Sequence, residues 1–271
     1  MSIPIFPPEI EHIIVTCALG LKTNDQSPSN LMLVAKRFHT WLSQELIQTV
    51  AVRTVRDTRF HPRGWSIDVI KEYGAYAKNL FLFTSTNDER AVQYISFCPN
   101  ITNLVLWTEL DEAHLKGIAR LPLTHLSADI DLLPQTTELC QLFSRITHFD
   151  CIGGVTYKSD LPKLKAFTSL THLVLPSDNF SSLPTAVLAD FPGLKVLVFL
   201  DSGREEMAVV NAFDPEADDP RVLRMTCNTD DEMNQWLLDI QNGSGLWELA
   251  DKVVQERKDL KNAFKKKMAE Q

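Results

Sequence analysis

The chain has 271 residues, 44% of them hydrophobic and 23% charged, with a net charge of −8; such a chain can bury a sizeable core without disulfides or metal. No apolar run approaches the roughly 20 residues that cross a bilayer, and so acidic a chain is a poor partner for nucleic acid, whose phosphates call for cations. Five cysteines (Cys17, Cys98, Cys140, Cys151, Cys227) form an odd set without a C-x-x-C pair, which fits a reducing compartment, cytoplasmic or nuclear.

Charge is unevenly placed. Between Glu205 and Ile240 ten acids stand against Arg221 and Arg224, a local −8, whereas Asp251 to Gln271 holds seven Lys/Arg against four acids. The basic tail reads as the solvated face of a helix. The N-terminus has no basic start followed by an apolar segment, so a secretory signal is not expected.

Phe6-Pro7-Pro8-Glu9-Ile10 opens the first predicted helix. Proline suits the first turn, where its missing N–H costs nothing, and Glu9 suits the positive end of the helix dipole. Ile10, Ile13, Ile14, Cys17 and Leu21 recur at helical spacing. Lys22 to Asn30 is a polar loop ending in a capping signal, and Leu31, Leu33, Val34, Phe38, Trp41, Leu42 and Leu46 make a second apolar set. Helices this short cannot bury a full core alone. They either cap the larger domain C-terminal to them or present an apolar face to a partner.

Ile47 to Val52 alternates like a strand, and Ile67 to Tyr76 reads as a helix. A phrase then repeats. It is clearest as Leu170-Thr171-His172-Leu173-Val174-Leu175 and returns around Leu80, Leu104, Leu126, Phe149, Leu197 and Leu223 in steps of 24, 22, 23, 24 and 24 residues, then 26. An L-x-x-L-x-L strand at such a period is the mark of a leucine-rich repeat, an α/β solenoid of parallel strands with helices on the convex face. The returns read as helices at Asp88 to Phe97, Asp111 to Ala119, Thr136 to Phe143 and Leu183 to Phe191, with a looser return from Gly153 to Phe167. Asp214 to Pro220 is an exposed acidic loop. Asp231 to Gln241 and Leu246 to Met268 are expected to close the end as a helical cap.

Alternation along a strand assigns the faces. The fourth and sixth phrase positions, such as Leu104/Leu106 and Phe149/Cys151, are expected in the core. The third, fifth and seventh face the concave side, including Val222, Arg224 and Thr226 in the last repeat. On that side Phe81, Phe83 and Trp107 form one apolar group, and Val198 with Leu200 another. Uncovered aromatics there would make a partner-binding patch. His125, His148 and His172 fall on neighbouring strands, a tempting metal set beside Asp129 and Asp150. Side chains on parallel strands do not converge, so a structural polar ladder with Thr124, Thr147 and Thr171 is expected instead, with no metal.

No catalytic motif stands out: there is no G-x-S-x-G, no phosphate-binding glycine loop, no H-E-x-x-H and no dinucleotide fingerprint. Neither an enzyme nor a cofactor is expected. A nucleophile at Cys98 or Cys140 with a histidine is a weaker rival.

The N-terminal residues carry a resemblance. Phe6-Pro7-Pro8-Glu9-Ile10, Ile13-Ile14, then Leu31-x-Leu33-Val34-Ala35-Lys36-x-Phe38-x-x-Trp41 resembles an F-box. Phe6 stands where leucine is usual, Ala35 replaces a small Cys or Ser, and the Lys22–Asn30 link is longer than typical. With Asp219-Pro220-Arg221-Val222-Leu223, Trp236 and Leu246-Trp247 before a basic terminal helix, the chain is similar to the repeat-containing F-box proteins of mushroom-forming fungi. That resemblance implies a substrate receptor of a Skp–cullin–F-box (SCF) ubiquitin ligase. It would dock on a Skp-type adaptor, and through it cullin, by Pro7, Ile10, Ile14, Leu31 and Val34, with Trp41 holding the third helix. An unidentified target protein would lie on Phe81, Phe83, Trp107 and Leu200. The implied division is an F-box-like module at 1–46, a repeat solenoid at 47–228 and a helical cap at 229–271. The alternative is a repeat scaffold outside any ligase, whose F-box-like helices merely cap the solenoid.

Overall fold

A computed structural model describes residues 48–53, 67–83, 89–107, 112–132, 141–152, 162–177, 183–203, 208–228 and 245–270. The expected adaptor-facing residues Pro7, Ile10, Ile14, Leu31 and Val34 lie outside the described residues, as does the expected helix at Asp231 to Gln241.

The described chain is α/β, with strands β1 (Thr49–Arg53), β2 (Asn79–Phe83), β3 (Asn103–Leu106), β4 (His125–Ala128), β5 (His148–Cys151), β6 (His172–Pro176), β7 (Val196–Gly203), β8 (Ala208–Val209) and β9 (Val222–Asn228). They form one sheet ordered β1-β2-β3-β4-β5-β6-β7-β9-β8, parallel throughout except for β8, which runs antiparallel to β9. Each strand up to β7 therefore lies beside its neighbour in sequence. This is a solenoid-like arrangement, as expected where every return must cross back to start a parallel strand.

The returns carry helices α1 (Ile67–Tyr73), α2 (Glu89–Phe97), α3 (Glu112–Ala119) and α4 (Leu183–Asp190); residues 141–143 and 162–164 are also helical. Each helix presents an apolar stripe to the sheet. On α2, Ala91, Tyr94 and Ile95 recur at i, i+3 and i+4 and continue into Cys98, all at most 9% exposed. They meet the fourth and sixth phrase positions: Leu80, Leu82, Leu104, Leu106, Leu126, Ala128, Phe149, Cys151, Leu173, Leu175, Leu197 and Phe199 all belong to this core. Alternation places them on the helix-covered face, as the repeating phrase implies. Gly74, just after α1, is held by close approach. A Cβ there would lie 2.5 Å from the Phe97 carbonyl oxygen, so even alanine would force α1 and α2 apart.

The last repeat departs from the expected register. Leu197 pairs with Val222, and Val198 with Leu223, one residue away from the alignment that put Leu223 beside Leu197. A one-residue slip exchanges the faces. Leu223 and Met225, not Val222, Arg224 and Thr226, occupy the open face, both fully buried. The reason is packing: they are covered by the final helix, α5 (Leu246–Ala269), while Arg224 stays exposed.

This helix also differs from a cap that merely closes the end. It lies on the open face of β6, β7 and β9, where Ala250 and Val254 pack into Val174, Val196, Val198, Leu223 and Met225. Arg257 fastens it, donating to the Val222 carbonyl at 2.7 Å and to Asn211 at 2.9 and 3.0 Å, with its guanidinium over the Phe213 ring. These partners are carbonyl and amide oxygens, so the buried cation is hydrogen-bonded without a carboxylate.

Candidate functional site

The open face is organised in three rows running across the strands. The third phrase positions give Thr49, Asn79, Asn103, His125, His148, His172 and Val196 in register. The fifth give Ala51, Phe81, Val105, Ser127, Asp150, Val174 and Val198, and the seventh include Phe83, Trp107, Asp129, Ile152 and Leu200.

The first row is a continuous polar ladder. Asn79 donates to Thr49 Oγ1 at 3.1 Å, and Asn103 donates to Asn79 Oδ1 at 2.7 Å. The imidazoles of His125, His148 and His172 follow, stacked with centroids 4.0 Å apart and planes within 16° and 10°. Each ring contacts the hydroxyl of the preceding threonine through Nδ1, at 2.9, 2.8 and 2.8 Å. Thr147 and Thr171 also hydrogen-bond a backbone carbonyl of the previous repeat at 3.2 and 3.1 Å. A hydroxyl has one proton; donated to that carbonyl, it leaves the imidazole to donate from Nδ1. Nε2 is then the acceptor in the neutral ring. At His172 this nitrogen meets Asp251 Oδ1 at 3.1 Å, a contact in which Nε2 donates to the carboxylate when it carries the ring proton. Trp247 closes the row edge-on, 5.1 Å from His148 and 5.6 Å from His172.

Electrostatics follow from this packing. Burial lowers the His148 pKa to about 3, with the neighbouring His125, His172 and Lys195 adding to the effect; His125 is lowered by burial and by His172. The rings stack face to face with Nδ1 engaged, which does not direct lone pairs to one point. Among the described residues no group of three or more His, Cys, Asp or Glu is placed to hold a metal ion.

The aromatic group is present but not open as expected. Phe81 is 2% exposed and forms a small core with Ala51 and Val105; Phe83, Trp107 and Ile152 pack over it, half-buried. The Trp107 ring lies 6.1 Å from Phe81 and 5.6 Å from Phe83. Phe81 is thus a floor and not a contact surface. Leu200 is half-buried and packs against the cluster under α5, as do Trp247 and Val253. Of the four expected target residues, Phe83 and Trp107 stay together over Phe81 at one end, and Leu200 packs against the α5 cluster at the other.

Between these ends stands a carboxylate that the sequence places beside the histidine row but gives no role of its own. Asp150, half-buried, accepts a hydrogen bond from Ser127 at 2.7 Å. Burial pushes its pKa up to about 6, partly offset by the Ser127 bond. A signal is nonetheless present: it is the one acid in a fifth-position row that is otherwise Ala, Phe, Val, Ser, Val and Val. Asp251 and Trp247 escape sequence reasoning as ladder partners, because they lie 79 and 75 positions beyond His172 in sequence.

Cys98 and Cys151 are buried and not joined in a disulfide. Burial pushes the Cys98 pKa up to about 12, which keeps it a thiol and a poor nucleophile. Cys140 lies outside the described residues. Among those described, no helix is long and apolar enough to cross a membrane. Neither a scan against protein-family models nor a search of curated proteins finds a match to this chain.

Proposed function

We propose that the chain is the substrate-recognition subunit of an SCF-type ubiquitin ligase, built as a leucine-rich-repeat solenoid behind an F-box-like helical module, and acting in the cytoplasm or nucleus. The observation that carries this reading is an order of parts. The F-box-like pattern of residues 4–46 runs directly into a sheet whose first strand begins at Thr49 and whose next six strands are laid down in chain order.

In this reading the chain makes no bond itself. Pro7, Ile10, Ile14, Leu31 and Val34 hold the Skp-type adaptor, and the open face holds a target while other subunits transfer ubiquitin. Phe83 and Trp107 are the contact residues on that face, since Phe81 is buried beneath them and Leu200 packs against the α5 cluster. Direct packing between the two modules would fix the distance from adaptor to target, which is what positions a lysine for transfer.

Affinity isolation from the native cell with proteasome activity blocked tests the assignment. The adaptor and cullin should co-purify with a ubiquitin-modified protein that accumulates under the block. Trp107→Ala should release that protein while retaining the adaptor. A Trp107→Ala chain that keeps its full set of modified proteins would remove Trp107 from the target site. If neither adaptor nor cullin is recovered with the intact chain, the scaffold reading replaces the ligase reading.

A further inference from the structure

The last turns of α5 carry side chains that its docking on the sheet does not use. From Asn262 to Ala269 every residue is exposed except the half-buried Phe264. Leu260 is 57% and Met268 55% exposed, and with Phe264 they recur every four residues, which sets them in one stripe. Val210, 52% exposed, lies just beyond β8, the last strand of the sheet. Three of the four large apolar side chains exposed among the described residues therefore sit at one end of the molecule. Single exposed apolar residues need no explanation, but a group of them beside an edge strand does.

The charges at this end come in two sets. Lys265 and Lys266 on α5 make no ion pair among the described residues, and neither do Asp214 and Glu216 in the loop between β8 and β9. Helix and loop are fastened together: Arg257 holds Asn211, and Lys261 donates to the Asp218 carbonyl. The basic and acidic sets thus belong to one unit with a fixed spacing.

We infer that this end of the sheet is a self-complementary surface for a second copy of the same chain, related by a two-fold axis. The lysines of one helix face the Asp214–Glu216 loop of the other, and Leu260, Met268 and Val210 are covered between them. The occupant follows from the charge pattern. A two-fold contact brings the same patch against itself, so the patch must carry both signs. An anionic membrane or a nucleic acid would meet the lysines but be repelled by the adjoining acids. This inference is independent of the ligase assignment.

Sedimentation equilibrium of the full chain tests it. The expected result is a reversible monomer–dimer equilibrium that weakens about tenfold from low to high salt, as exposed charge pairs are screened. Leu260→Lys with Met268→Lys should leave a monomer. So should Lys265→Glu with Lys266→Glu, and Asp214→Lys with Glu216→Lys, because each reversal sets like charges together. An equimolar mixture of the two charge-reversed chains should recover the dimer, since both contacts are then opposite in sign. All six positions are exposed, so unchanged circular dichroism is expected for each variant, with melting equal to that of wild type at dilutions where wild type is monomeric. A wild type that is monomeric at every concentration overturns the proposal, including one that is monomeric yet binds vesicles of phosphatidylcholine and phosphatidylserine. A dimer indifferent to all three variants overturns it equally.

Discussion

Asp150 offers the most quantitative test of the open face. Its carboxyl is pushed up to about 6 from 3.8 by burial, with the Ser127 hydroxyl supplying partial compensation. The folded value lies above the unfolded one, so the fold carries no penalty below about 3.8, a growing one up to about 6, and the full penalty above that. At about 1.4 kcal/mol per unit, the whole span corresponds to about 3 kcal/mol. Because the side chain is only half-buried, solvent screening reduces this to about 1–2 kcal/mol. Asp150→Asn keeps an oxygen for Ser127 and removes the charge. It should therefore stabilise the protein by about 1–2 kcal/mol near pH 7.5, with the gain vanishing near pH 4. Urea unfolding of both chains at the two pH values measures the difference. A variant less stable than wild type at neutral pH, or a gain that does not depend on pH, would show that burial does not govern this carboxyl.

The same geometry carries further expected outcomes. His148 titrates at about 3 in the fold against 6.5 unfolded, so its contribution is intact above 6.5 and is lost as pH falls toward 3. After allowance for solvent around the partly open ring, the loss is about 1 kcal/mol at pH 5, and in the Asp150→Asn background, where the opposing carboxylate is gone, unfolding free energy should fall by that amount between pH 7 and 5; a flat profile would contradict it. Leu223→Asp should cost about 3 kcal/mol or more by placing a charge under α5, while Arg224→Asp should stay within about 0.5 kcal/mol. The reverse ranking in urea unfolding would restore the unslipped register. The Cys98 thiol should resist alkylation in the native protein and react once unfolded, as read by mass spectrometry of its peptide; rapid native labelling would disprove its burial.

The repeat is legible because its cause is local. Leucines two apart in each phrase must share a face, and a period of 22 to 26 residues leaves room for one strand and one return. That logic places Leu104, Phe149 and Cys151 in the core and aligns the three histidines in a ladder with their threonines. It does not reach contacts made by distant segments. Which face of the last strand is buried depends on where α5 lies, so Leu223, though it occupies the phrase's fourth position, turns the other way to meet Val254. The same helix cluster packs against Leu200, and the helix brings Asp251 to His172. Phe81 departs from expectation for a related reason: in sequence an aromatic on the open face looks available, but Phe83 and Trp107 close over it. Asp150 shows the complementary limit. Its identity is readable, but its raised pKa comes from packing that no strand pattern encodes.

Adaptor binding by residues 4–46 decides between a ligase receptor and a plain repeat scaffold, and calorimetric titration of the purified full chain with a purified Skp-type adaptor measures it without intermediaries. Saturable one-to-one binding is expected, abolished by Ile10→Asp together with Val34→Asp, because a charge placed in an apolar contact is left without a partner. The repeat region of that variant should retain the wild-type melting transition. A correctly folded wild-type chain that releases no heat and forms no complex with the adaptor would contradict the ligase assignment.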